Sequence, residues 1–186
     1  GIIEPSASTV PPVPTATPVL VPTATPVPTA TPTPSLSAEE YYKEGKNAYT
    51  SGSYDQAVDL FTKAIQINSA YKLAYAYRGY TYYQLGQYAQ AIADYDKTIQ
   101  LDRDYAWGYA NRGRVYAKLD QRDRAILEYD EAIRLDPNYT NAYNNRGHNY
   151  QQLGQYDRAI SDFEKALELD PNHETAKNNL ANLLSI

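Results

Sequence analysis

Residues Thr140–His173 read TNAYNNRGHNYQQLGQYDRAISDFEKALELDPNH, and this stretch decides the fold because the chain before it is written on the same plan. Sliding the sequence on itself by 34 residues superimposes Gly45, Gly79, Gly113 and Gly147 at the eighth place of the unit. Ala57, Ala91, Ala125 and Ala159 coincide at the twentieth. Large residues recur at fixed offsets: Tyr41, Tyr75, Tyr109 and Tyr143 at the fourth place, and Phe61, Tyr95, Tyr129 and Phe163 at the twenty-fourth. Ala48, Tyr82, Tyr116 and Tyr150 share the eleventh. These aromatic columns read as core. A unit that cannot bury its own apolar face needs copies stacked beside it, and a fixed period of this length expresses that need.

The pattern resembles the tetratricopeptide repeat, a helix–turn–helix module. The resemblance implies an all-α fold, a right-handed α-solenoid, with repeats at residues 38–71, 72–105, 106–139 and 140–173 and a C-terminal capping helix within 174–186. Helices are expected at 38–51 and 54–68, 72–85 and 88–102, 106–119 and 122–136, and 140–153 and 156–170. Ser37-Ala38-Glu39-Glu40 opens the array as a capping box. Gly52, Gly86 and Gly154 stand where the turn within a unit needs positive φ, and Asp120 replaces glycine in the third unit. Pro137 and Pro171 punctuate two unit ends, whereas Ser69 and Arg103 stand at the other two, so those two junctions are expected to be less sharp. In the capping helix, Ala176, Leu180, Leu183 and Leu184 share one face.

Residues 1–37 form a separate tail, nearly all Pro, Thr, Val and Ala, in which VPTATP recurs. Proline fixes φ and removes a donor, so this tract reads as an extended, polyproline-II-like rod or tether. Threonine at short intervals among prolines is also the composition of O-glycosylated stalks. The candidates are Thr15, Thr17, Thr23, Thr25, Thr29, Thr31 and Thr33. Asn138-Tyr139-Thr140 is an N-glycosylation sequon at Asn138.

Composition narrows the chemistry. The 186 residues include no Cys and no Met, twenty Tyr, one Trp and a formal net charge of −5. Missing cysteines exclude disulfides, thiol nucleophiles and thiolate metal sites. A weakly acidic chain without a basic run argues against nucleic acid as a partner, and no apolar run is long enough to span a bilayer. The absence of methionine points to a processed chain or a fragment. No metal or cofactor is expected. His148 and His173 are the only histidines, with no acid spaced to orient His148 as a base, so no catalytic residue is expected. The acids of DYDK, EYDE and DFEK on the second helices read as a solvated outer face.

In this family the first helix of each unit lines a concave groove, and the resemblance assigns to it Tyr42, Lys46, Tyr49, Tyr77, Tyr80, Tyr83 and Gln84 from the first two units. The last two add Trp107, Asn111, Arg114, Lys118, Asn141, Asn144, Asn145, His148, Gln151 and Gln152. The groove thus runs from aromatic to amide-rich. Aromatic grooves read polyproline II ligands, whose entropy is already low, and asparagines pair extended backbone. Some family members clamp the terminal carboxylate of a chaperone peptide with Lys and Asn on successive first helices. The corresponding places here hold Tyr42, Lys46, Tyr77, Trp107 and Asn111, so most of that clamp is absent and the activity is not carried over.

The chain carries both a groove and a ligand for it. Thirty residues of polyproline II extend about 90 Å, similar to the contour of nine packed helices spaced by about 8–10 Å. The leading expectation is an extracellular or cell-surface, non-enzymatic scaffold that assembles with copies of itself into a fibre, each glycan-bearing tail docking on a neighbour. The alternative is a monomeric, surface-tethered adaptor whose groove binds a foreign peptide or glycan.

Overall fold

Ser37 starts the array as its sequence predicts. Its Oγ accepts the Glu40 amide at 3.2 Å while its own amide donates to the Glu40 carboxylate at 2.8 Å. The structure, a computed structural model, describes residues 36–185, so the expectations for the tail, its threonines included, lie outside the described residues. Among the described residues nine helices follow in order. They are α1 (Ala38–Thr50), α2 (Tyr54–Ile67), α3 (Lys72–Gln84), α4 (Tyr88–Leu101), α5 (Ala106–Lys118), α6 (Arg122–Leu135), α7 (Thr140–Gln152), α8 (Tyr156–Leu169) and α9 (Glu174–Leu184). Each expected helix is present and ends one residue early.

Within a unit the helices are joined by a tight turn closed by a bond from the amide past the turn back to the carbonyl five residues earlier. Gln87 to Tyr82 and Gln121 to Tyr116 are both 2.9 Å. The residue inside that loop must adopt positive φ, and Asp120 does so at +59° where Gly86 sits at +72°. Between units the expectation of two weaker junctions is wrong. All four second helices end in the same extended C-cap, at Asn68, Asp102, Asp136 and Asp170. In each the cap's Oδ1 accepts the amide two residues on, at 2.9–3.1 Å. This side-chain turn stops the helix, so Ser69 and Arg103 serve as well as proline.

Packing follows the small columns. A Cβ added to Gly45 would stand 2.7 Å from the Phe61 ring, so the aromatic of the twenty-fourth place lies on its own unit's glycine. It also reaches the next unit, with Phe61 6.1 Å from Tyr77 and Tyr95 6.1 Å from Trp107. A further complementary pair spans the units. Ala64 and Ala74 are buried in one cluster and Ala132 and Ala142 in another, whereas the larger Thr98 faces Gly108, whose added Cβ would meet Thr98 Cγ2 at 3.4 Å. One side grows by a branch and the other loses its methyl, keeping density constant.

The tyrosines of the fourth and eleventh places are half-buried rather than core. They flank an arginine. Arg78 lies over Tyr75 and Tyr82, Arg112 over Tyr109, and Arg146 over Tyr143 and Tyr150. Each arginine holds a carboxylate of its own unit and reaches back to the preceding one. Arg78 forks onto Asp94 at 2.7 and 2.8 Å and donates to Thr62 at 2.9 Å; Arg112 bridges Glu128 and Asp96; Arg146 bridges Asp162 and Asp130. The acids of DYDK, EYDE and DFEK are therefore not simply a solvated face, since the first of each is paired and largely buried. Burial pushes the Asp94, Glu128 and Asp162 carboxyls above their ordinary values against the pull of the guanidinium. The first unit has Glu44 at the arginine's place and Leu60 at the acid's, so the seam begins with the second unit.

α1, α3, α5, α7 and α9 each touch the next of their set, whereas among the described residues the second helices do not touch one another. The first helices therefore crowd the concave side. α9 closes the array with Ala176 and Leu183 buried, but Leu184 is 67% exposed and does not share the capping face.

Candidate functional site

The concave side holds a cavity of about 640 Å³ between the aromatic and amide halves of the array. Trp107 stands at its centre. Its ring stacks on Tyr77 at 5.8 Å and 21°, tilts against Tyr80 at 5.7 Å, and meets Tyr105 at 6.1 Å. Tyr49 extends the network from Tyr80 at 5.3 Å, and Tyr83 stacks on the other flank of Tyr80 at 6.5 Å. Lys46 reaches over Tyr77, its Nζ 5.3 Å from the ring centre. Of the residues assigned from the sequence, Tyr49, Tyr77, Tyr80, Trp107, Asn111, Arg114, Asn141, Asn144 and Asn145 line this cavity. Tyr42 does not. It is only 9% exposed and packs with Phe61, Tyr71 and Tyr77, because the outer edge of α1 must cover the first unit's core.

Two of the asparagines also differ from the expectation that they stand free to pair a ligand. Asn111 is buried, donating to the Trp107 carbonyl at 2.8 Å and accepting Arg114 at 3.1 Å. Asn144 is buried, receiving Asn179 at 3.0 Å and donating to Asn145 at 3.3 Å. Asn141 and Asn145 remain at the surface of the cavity.

The reading of the sequence missed Tyr139, His173 and Thr175, which also line the cavity. The signal was periodic: Tyr71, Tyr105, Tyr139 and His173 occupy the last place of the four units and immediately precede a first helix. His173 caps α9 through Nδ1, which accepts the Ala176 amide at 3.1 Å, so Nε2 carries the proton and donates to Asn141 Oδ1 at 2.9 Å.

Arg114 lies at the far wall and lines a second, smaller cavity of about 190 Å³ as well. Its guanidinium stands 4.9 Å from the Tyr83 ring and 5.5 Å from Tyr80, and among the described residues it has no carboxylate partner. Tyr83 and His148, assigned to the groove, line the smaller cavity rather than the larger. Lys118, also assigned to the groove, faces the same space, and so does Arg122, which the sequence reading did not assign and which pairs with Asp120 at 2.7 Å. Burial, then Arg122 and Lys118, hold the His148 imidazole below its ordinary value. Burial raises the Tyr80 hydroxyl, but Arg114 and Tyr49 outweigh it and leave Tyr80 below the usual phenol range. Tyr49 is pushed up to about 12 by burial and by Tyr80.

Asn138 is exposed in the loop before α7, so the sequon is sterically open. Among the described residues no three metal-ligating side chains gather, and no helix is long and apolar enough to cross a membrane.

Family profiles described as tetratricopeptide repeat match residues 38–71 and 140–173, and one described as TPR repeat matches 79–120 and 121–154. A 34-residue stretch is 50% identical to heat shock protein STI1 of Saccharomyces cerevisiae, spanning 18% of this chain and 6% of that protein. Among solved structures, the crystal structure of MamA is similar with a TM-score of 0.68 at 26% identity, covering 76% of this chain and 82% of that one. The first TPR of Spaghetti (RPAP3), bound to HSP90 peptide SRMEEVD, has a TM-score of 0.60 at 31% identity, covering 61% of this chain and 90% of that one. With profiles on every unit and a helix pair in each, the chain belongs to the tetratricopeptide repeat family of protein-interaction scaffolds.

Proposed function

We propose that the protein is a non-catalytic scaffold that assembles outside the cell or at its surface, the Pro/Thr-rich tail of one copy lying in the concave groove of another. The observation that carries this reading is the open aromatic wall of Tyr49, Tyr77, Tyr80 and Trp107, in a chain that supplies its own proline-rich segment. Flat rings accept proline rings, and a polyproline II strand loses little entropy on docking. The contact is head-to-tail, so it propagates unless it closes into a ring. Glycans on Thr15, Thr17, Thr23, Thr25, Thr29, Thr31 and Thr33 would stiffen the tail. A solved neighbour that holds a peptide supports groove binding in general and favours a second reading, a tethered adaptor for a foreign peptide.

Electron microscopy of the full chain beside one that starts at Ser37 separates the two. The expected result is large assemblies in the first sample and none in the second. Single small particles in both would overturn self-assembly and leave the adaptor.

A further inference from the structure

The chain holds neither Cys nor Met, the side chains on which oxidation ordinarily falls, but it holds twenty Tyr and one Trp. One-electron oxidation must therefore land on aromatic rings, and the structure gathers such rings where the first two units meet. Tyr80 is their centre. Tyr49 stands 5.3 Å from it, Tyr83 6.5 Å, and Trp107, the other readily oxidised ring type, 5.7 Å. Despite burial, the Arg114 guanidinium, 5.5 Å from the Tyr80 ring, keeps its hydroxyl below the usual phenol range. That eases release of the proton that must leave a phenol with its electron.

Geometry selects the ring that pairs with it. Two phenoxyl radicals couple through the carbons ortho to their hydroxyls, and the product's rings meet edge to edge with a twist between them. Tyr49 suits that product, being inclined to Tyr80 by 40° at the shorter distance, whereas Tyr83 lies farther off and almost parallel, at 9°. Gln84 donates to the Tyr49 hydroxyl at 3.2 Å, and Tyr49 and Tyr80 both line the larger cavity, so a small oxidant reaches them from solvent. Tyr54, 5.4 Å from Tyr49, does not line it, and Tyr42, 5.2 Å from Tyr71, is buried. A second observation falls at the same place. Arg112 and Arg146 tie their units to the preceding ones through Asp96 and Asp130, but Arg78 reaches back only to the Thr62 hydroxyl. Among the described residues the junction of the first two units is thus the one between units that no ion pair crosses.

We propose that Tyr49 and Tyr80 are a site of oxidative coupling, joined as dityrosine by hydrogen peroxide with a haem peroxidase catalyst, so that the first unit becomes bonded to the second. Each phenol gives up one electron and its hydroxyl proton. The two radicals form one carbon–carbon bond, and the hydrogen displaced from each ortho carbon moves to the oxygen, which restores both phenols. The pair loses two hydrogens in all, and one peroxide takes up two electrons and two protons to become two waters. A chain that cannot form disulfides thereby gains a covalent link where its units are otherwise joined without charge, and the link restrains the unfolded chain as a disulfide does. The site is independent of what the groove binds.

The test is oxidation of the full-length protein at high dilution with hydrogen peroxide and a haem peptide small enough to reach the cavity. Dityrosine fluorescence is expected in material that stays monomeric on a denaturing gel, with an intact mass lower by two hydrogens and a proteolytic fragment that joins Tyr49 to Tyr80. Tyr49→Phe and Tyr80→Phe, each checked for helicity by circular dichroism, should lose that fragment, whereas Tyr54→Phe should keep it. Amide hydrogen exchange through α1 and α2 should slow in oxidised native protein and not in oxidised Tyr49→Phe. Dityrosine confined to covalent dimers, a monomer fragment joining another pair in its place, or no dityrosine at all overturns the site.

Discussion

Arg112 and Arg114 lie two residues apart on α5 and have opposite lives. Arg112 faces the outer seam, where Glu128 and Asp96 neutralise it across two units; Arg146 repeats that arrangement on α7, and Arg78 on α3 with the Thr62 hydroxyl in place of the second acid. Arg114 faces the groove, where rings and an amide position it and no described carboxylate answers it. A turn of about 200° separates them on the helix. The seam completes its charges within the chain and so holds the units together. The groove leaves a charge open, and an open charge held in place is what recognition of a partner requires.

The sharpest way to break this contrast is Arg146→Ala. It strands Asp162, whose side chain is 7% exposed, and removes the bridge to Asp130. The expected loss is about 3–5 kcal/mol of stability, read from urea unfolding, with peptide affinity of the remaining folded protein unchanged. A loss below about 1 kcal/mol would place the seam among ordinary solvated pairs.

Arg114→Gln should show the reverse balance. Only cation–ring contacts and one hydrogen bond go, so stability should fall by about 1 kcal/mol, while affinity for a synthetic peptide of the proline-rich tail falls, since Arg114 lines the larger cavity. If stability drops as far as in Arg146→Ala, the two faces do not differ in kind.

The smallest effect concerns His148. Burial first, then Arg122 and Lys118, depress its titration below 6.5 in the folded protein, so the unfolded chain takes up the proton first as pH falls. Its contribution is complete above pH 6.5 and is lost as pH drops through the depressed value. Melting temperatures at pH 7.5 and pH 5 should therefore differ less in His148→Gln than in the native protein. Equal declines would remove His148 from the field of Arg122 and Lys118.

Helix placement was legible in sequence because glycine and alanine columns report where backbones must approach, and that constraint repeats with the unit. The turn at Asp120 was legible for the same reason: one backbone conformation is required there and few residues supply it. The seam was not read, although its arginines recur in register, because each pairing spans 16 residues and one pairing of each arginine crosses a unit boundary. Acids on a second helix look solvated until the neighbouring first helix is in place. The fate of Tyr42 depended on being at the end of the array, where its ring covers a core that later units cover for one another. Junctions were misjudged because attention fell on proline, whereas the stop lies one residue earlier, in the side chains of Asn68, Asp102, Asp136 and Asp170.

The seam has a consequence for how such a chain can change length. Each of the seam arginines, Arg78, Arg112 and Arg146, finds an acid at the same place of its own unit, and an oxygen acceptor at the same place of the unit before it. Excising residues 106–139 would bring Arg146 opposite Asp96 in place of Asp130, an aspartate for an aspartate. Middle units are thus interchangeable parts, and copy number can shift by whole units without leaving a stranded charge. The first unit is exempt: Glu44 and Leu60 cannot continue the pattern, so it serves only as a beginning.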